Sequence, residues 1–125
     1  MNIYIAHSSN FDFISELYNP IIEIKFIKQD INFILPHLTD KFKNSKSLIS
    51  NQIDLLIAEV SYPSTGLGIE LGWANIANVP ICCIHKINTK YSSSLNTLTD
   101  KFYSYSNPEE LKEIIRTIIE SVETK

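Results

Sequence analysis

The chain has 125 residues, 44% hydrophobic and 20% charged, with a net charge of −3; this composition suits one soluble domain, residues 1–125, large enough for a real core. No basic cluster offsets the negative charge, so nucleic acid is not an expected partner. No apolar run approaches the ~20 residues of a membrane span, and no basic segment precedes an apolar one at the start, so no membrane partner is expected and the location reads as cytoplasmic.

Met1 to His7, rich in β-branched and aromatic residues, predicts the first strand. Asn10 to Tyr18 predicts a helix ending before Pro20. Ile31 to Pro36 reads as the second strand and Ser45 to Asn51 as a short helix. Asp54 to Val60 is mostly apolar, as a strand covered on both faces should be, and predicts the third strand. Leu67 to Asn78 predicts a helix and Pro80 to His85 the fourth strand. In that strand the adjacent Cys82 and Cys83 point to opposite faces, which suits core packing rather than a disulfide or a metal site; no cofactor is expected. Lys90 to Leu98 reads as a polar loop with room for one helical turn, and Lys101 to Tyr105 as the fifth strand. The final helix has the clearest signal. Asn107 can cap it, Pro108 suits its first position, Asn107-x-x-Glu110 resembles a capping box, and Leu111, Ile114, Ile115, Ile118, Ile119 and Val122 form one stripe.

Alternating strands and helices with short connections predict an α/β fold with a parallel sheet and right-handed crossovers. Five strands suit the flavodoxin-like (Rossmann-like) three-layer sandwich, order 2-1-3-4-5. Strands one and three then meet at the topological switch point, where ligands bind outside the carboxyl ends. Those ends carry His7, Ser8, Ser9 and Asn10 on one strand and Ser61 to Glu70 after the other.

Within that second stretch, Glu70 shares a helical face with Trp73, Ala74 and Ala77. A carboxylate on an apolar face has to be paired, neutralised or turned to a pocket, because burying it bare is costly. A capping box would need Ser or Thr at position 67, which is Leu, so capping is not its role. A buried salt bridge remains the structural alternative. The turn before the helix favours function: Gly66 and Gly68 permit close backbone approach, N–H groups at a helix start attract anions, and Ser64 adds a hydroxyl.

This segment resembles the nucleoside 2-deoxyribosyltransferase superfamily, and most closely its 2'-deoxynucleoside 5'-monophosphate N-hydrolases. Their signature is an Asp-led apolar strand ending Ala-Glu-Val, then Pro-Ser-x-Gly-x-Gly-x-Glu-Leu-Gly-x-Ala. Here it reads Ala58-Glu59-Val60, then Pro63-Ser64-Thr65-Gly66-Leu67-Gly68-Ile69-Glu70-Leu71-Gly72-Trp73-Ala74. A weaker match is Ile3-Tyr4-Ile5-Ala6-His7-Ser8, and thinner ones are Pro80-Ile81 and Ser92-Ser93-Ser94. The resemblance implies a nucleotide or nucleoside as the small-molecule partner, with Glu70 catalytic and Ser64 plus the Gly66 and Gly68 amides holding a 5'-phosphate. It implies that Tyr4, Ser8 and Asn10 line the sugar and phosphate, and that Ser94 reaches a neighbouring subunit's phosphate site in a homodimer. The expected activity is hydrolysis of the base–deoxyribose bond; the alternatives are deoxyribosyl transfer or nucleotide sensing without cleavage. One departure stands out. The family Asp that contacts the sugar and assists proton transfer falls on Lys46, which leaves Asp12 and Asp40 as replacements.

Other polar residues carry two readings each. His7 faces the expected crevice as a substrate-binding or a merely satisfied residue, and His37 suits a lid or an ordinary loop. Glu59 borders the pocket or pairs with a neighbour, and Trp73 walls the pocket, fills a dimer contact or packs in the core. His85 and Asp54 read as structural.

Overall fold

A computed structural model describes residues 1–24, 30–38 and 45–123. Five strands, β1 (Asn2–His7), β2 (Asn32–Ile34), β3 (Leu55–Glu59), β4 (Ile81–Lys86) and β5 (Phe102–Tyr105), form one parallel sheet in the order β2-β1-β3-β4-β5. This is the α/β, flavodoxin-like architecture and strand order expected from the sequence. On one face lie the helical turns Ile14–Tyr18, continued by α1 (Asn19–Ile22), and the C-terminal α4 (Pro108–Glu123). On the other lie α2 (Ser45–Gln52) and α3 (Thr65–Ile76). Among the described residues, no helix is long and apolar enough to cross a membrane.

The two-residue period of the strands builds a separate core on each face. Ile3, Ile5, Leu55, Ile57, Cys82 and Ile84 pack with Leu17, Tyr18 and Ile21 and with the α4 stripe. Tyr4, Ala6, Leu56, Ala58 and Cys83 pack with Ile49 of α2 and with Leu67, Leu71 and Ala74 of α3. The cysteines therefore serve opposite cores as buried thiols. On the α3 side the register pairs Ala6 with Ala58 and Tyr4 with Leu56. Two small residues side by side let α3 settle close to the sheet at its carboxyl end, and the long Tyr4 side chain reaches toward the helix beside them.

Most element boundaries shift by a residue or more from the sequence reading, and those of the first helix and of α3 have a clear physical reason. The first helix does not stop before Pro20. It widens into a π-helical turn, with the Asn19 N–H donating to the Ile14 carbonyl, and continues through Pro20 to Ile22. The wide turn sits just ahead of a ring that has no N–H to give, a known place for such a bulge. The helix α3 starts two residues earlier than expected because Ser64 caps it, its hydroxyl accepting from the Leu67 N–H at 3.3 Å. It also ends earlier, because Asn78 adopts a left-handed conformation (φ 61°) after the last turn. The loop after β4 contains a 3₁₀ turn, Ser93–Thr97. At the other sheet end Asp54 accepts from the Asn2 N–H at 2.7 Å, a structural role as read.

Candidate active site

A cleft of about 510 Å³ opens at the carboxyl ends of β1 and β3, between α2, α3 and the loops after β1 and β2. Its lining includes Glu70, Ser64, Gly66, Leu67, Ile69 and Trp73 from α3 and its cap, Ser45 and Lys46 from α2, and His7, Ser9 and His37.

Glu70 sits on the second turn of α3, above Tyr4. The Tyr4 hydroxyl donates to its carboxylate, and Ser45 at the start of α2 also hydrogen-bonds to it. Ser45 lies 3.4 Å from the Tyr4 hydroxyl, so the two helices and β1 converge on one carboxylate. No cation among the described residues pairs with Glu70, which leaves the salt-bridge alternative without support. Burial pushes the Glu70 carboxyl above its ordinary value, while the hydrogen bonds from Tyr4 and Ser45 draw it part of the way back. The Tyr4 phenol is raised by burial first and by its carboxylate partner second, so it remains a donor. Tyr4 itself is fully buried and supports Glu70 from beneath rather than lining the cleft.

One and a half turns before Glu70 lies the start of α3. Its first N–H groups have no intrahelical acceptor and carry the positive end of the helix dipole. Ser64 and Gly66 line the cleft there. The Gly68 amide does not belong to the free set: it donates to the Ser64 carbonyl at 3.2 Å. Thr65 and Gly66 supply the open N–H groups instead. A Cβ added at Gly66 or Gly68 would meet nothing within 4 Å, and neither glycine has positive φ. Packing therefore asks for neither glycine, although each costs about 1 kcal/mol of helix propensity. What they leave is an unobstructed surface.

His7 is buried and fully committed. Its Nδ1–H donates to the Ser8 carbonyl at 2.7 Å, its Nε2 accepts from the Tyr18 hydroxyl at 2.6 Å, and that hydroxyl accepts the His37 N–H at 3.1 Å. Burial lowers the His7 pKa to about 4 and raises Tyr18 to about 12, so a neutral imidazole borders the cleft at ordinary pH. The His7 ring packs against Phe13 and His37, with centroids 4.6 and 4.8 Å apart. His37, read as lid or ordinary loop, forms part of the wall.

Other candidates lie elsewhere. The Ser8 hydroxyl accepts the Asn10 N–H at 3.0 Å, making a local turn; Ser8 is buried, Asn10 is exposed, and Ser9 is the residue of that turn on the cleft. Gly68 and Ser94 border a second depression, of about 570 Å³, on the other side of the first turn of α3. Glu59 is turned away and fully used, accepting from the Ser61 N–H at 2.6 Å, the Ser61 hydroxyl at 3.1 Å and the Tyr105 hydroxyl. Asp12 does not replace the family Asp at the cleft; it accepts the Ser15 N–H at 3.3 Å ahead of the first helix. Asp40 lies outside the described residues. His85 packs on Tyr91, with centroids 5.2 Å apart.

The arrangement joins two opposite demands in one cleft. The helix start suits an anion, and the carboxylate suits a centre that develops positive charge.

No protein-family model matches the chain. Two curated relatives do. One, from Methanosarcina mazei and named "Putative 2'-deoxynucleoside 5'-phosphate N-hydrolase 1", is 39% identical over 72 residues, 55% of this chain and 45% of that protein. Another of the same name, from Syntrophotalea carbinolica, is 41% identical over 39 residues, 31% of this chain and 28% of that protein. The chain thus spans less than half the length of either relative. Among solved structures, the Clostridium botulinum CMP N-glycosidase BcmB superposes with a TM-score of 0.62 over 93% of this chain and 99% of that one, at 21% identity, a likeness of fold. These comparisons bear out the resemblance to the nucleoside 2-deoxyribosyltransferase superfamily and to its nucleotide N-hydrolase branch.

Proposed function

We propose, with the likeness to the nucleoside 2-deoxyribosyltransferase superfamily as premise, that this protein is an N-glycosidase cleaving the base–deoxyribose bond of a (deoxy)nucleoside 5'-monophosphate. The observation that carries the reading is the Glu70 carboxylate, which no cation among the described residues pairs with, held by Tyr4 and Ser45 in the cleft that begins at the start of α3. The name shared by the two relatives supports it.

The 5'-phosphate docks on the Thr65 and Gly66 amides and the Ser64 hydroxyl. Because a hydroxyl is one donor and two acceptors, Ser64 can cap Leu67 and still donate to the phosphate. The phosphate fixes the sugar with its anomeric carbon toward Glu70. As the base departs, positive charge grows on that carbon, and the carboxylate stabilises it or bonds to it, as in retaining glycoside hydrolysis. Glu70 has to be ionised for this, so activity falls as pH drops through its raised pKa. Tyr4→Phe removes a hydrogen bond that lowers that pKa. The acid limb of the pH–rate profile should therefore move to higher pH, and a limb that stays in place would remove Tyr4 from the role of stabilising the ionised form.

A second reading, deoxyribosyl transfer, keeps the same Glu70 chemistry with a second base as acceptor. Chromatography with a second free base in excess separates the two. The hydrolase yields deoxyribose 5-phosphate and free base; a transferase yields a new nucleotide.

The working species in this reading is a homodimer. On α3 the exposed side chains of Ile69 (48%) and Ile76 (84%) flank the half-buried Trp73 on one stripe, an apolar strip that a second copy would cover. Ser92 and Ser94 meanwhile border the far side of the Ser64 turn. Sedimentation at micromolar concentration should give roughly twice the 14.3 kDa chain mass. A monomer turning over substrate at full rate would exclude a shared site.

A further inference from the structure

The helix α3 sets three kinds of chemistry along one wall of the cleft in a fixed order. The anion-attracting turn at Ser64 to Gly66 comes first, Glu70 follows ~7 Å further along the axis, and Trp73 stands ~4.5 Å beyond it, at 1.5 Å of rise per residue. A nucleoside monophosphate carries phosphate, sugar and base in the same order. With the phosphate at the turn and the anomeric carbon at Glu70, the base falls at the Trp73 end. Lys46 lines the cleft too, from the first turn of α2, the helix packed beside α3. It is exposed, and none of the ion pairs or hydrogen bonds among the described residues uses its ammonium group. With Trp73 it also borders an adjoining depression of about 540 Å³, so these two side chains stand where the cleft passes into a second space.

We propose that Lys46 is a catalytic residue that touches the departing base and donates a proton to it; this rests on the N-glycosidase reading. A nucleobase expelled as an anion is a poor leaving group, and an ammonium group offers three donors and no acceptor. The C1'–N bond breaks with its electron pair going to the base. A Lys46 proton passes to a ring nitrogen or carbonyl oxygen of that base, while a Glu70 oxygen bonds to C1'. Water then displaces Glu70 from C1', its hydroxyl staying on the sugar and its proton returning to the Lys46 amine. A general acid of this kind contributes about 10²–10⁴ in rate. The cation thus fills by a different chemistry the place that the family's Asp leaves empty in this chain.

The test uses a graded set of deoxynucleoside 5'-monophosphates built on whichever base the wild-type protein releases. The set runs from the plain base to versions that leave without help: 5-fluoro and 5-nitro for a pyrimidine, N7-methyl for a purine. Lys46→Met should lose about a hundredfold in kcat on the plain substrate, the loss shrinking toward none on the most activated one, and Lys46→Arg, whose guanidinium keeps the charge but does not give up its proton, should lose nearly as much. Affinity of Lys46→Met for 2-deoxyribose 5-phosphate should equal that of wild type, and its thermal unfolding should be unchanged. A uniform loss across the set, no loss on the plain substrate, or weakened binding of the sugar phosphate would overturn the inference while leaving the N-glycosidase reading standing. Wild-type protein that releases no base from any member would overturn both.

Discussion

Glu70→Gln should lower turnover by at least about two orders of magnitude, the scale on which an enzyme loses its nucleophile or charge stabiliser, and should fold at least as well as wild type. The first half follows from position: no other carboxylate among the described residues lines the cleft. The second half follows from the raised pKa. A carboxyl group whose pKa is higher in the folded than in the unfolded protein is penalised for ionising in place. That penalty is absent below the unfolded value, near 4.5, grows as pH rises toward the folded value, and is complete above it. The amide carries no such penalty and can still accept from Tyr4. Thermal unfolding should therefore show the variant gaining on wild type at pH 7 and losing that gain near pH 4. An inactive variant that is less stable than wild type at pH 7 would mean that Glu70 holds the fold rather than the substrate.

Removing the 5'-phosphate from the ligand should weaken binding by several kcal/mol, as two or three charge-assisted hydrogen bonds at about 1.5–3 kcal/mol each require. The geometry narrows which groups are involved. Thr65 and Gly66 present free N–H groups, whereas the Gly68 amide is bound to the Ser64 carbonyl. Gly66→Ala should therefore reduce affinity for the monophosphate, because its methyl enters the open surface of the cleft, while Gly68→Ala should mainly add helix propensity. Ser64→Ala should act twice, on the ligand through a lost donor and on stability through the lost cap, at about 1 kcal/mol. Calorimetry with matched nucleoside and monophosphate reads this directly. Equal affinities would move the protein toward the free-nucleoside transferase branch.

The architecture was legible in the sequence because its signals are local and repeated. The α4 stripe, the apolar third strand and the alternation of elements each follow from one side-chain period, and five strands in this succession suit the order found, which the family resemblance also implied. The cleft was legible because the stretch around the start of α3 carries its glycine turn, hydroxyl and carboxylate within a few residues. What stayed hidden depends on contacts between distant segments. Ser45 meets Glu70 and Tyr4 only because α2 and β1 converge across 41 residues of chain. The Glu59 partners come from the next turn and from β5, 46 residues on. The hydrogen bonds of the Tyr18 hydroxyl to the His7 ring and to the His37 N–H join segments 11 and 19 residues apart. Ser8 misled because its neighbour Ser9, with the same hydroxyl, takes the outward place in the turn.

The central claim is that Glu70 breaks a glycosidic bond rather than marking a site that only binds. The most direct measurement is chromatography after incubating wild type and Glu70→Gln, side by side, with a panel of deoxynucleoside 5'-monophosphates. Free base and deoxyribose 5-phosphate are expected from the wild type, and from the variant a bound nucleotide left intact. Saturable binding by both proteins with no base released by either would contradict it and make the protein a nucleotide sensor.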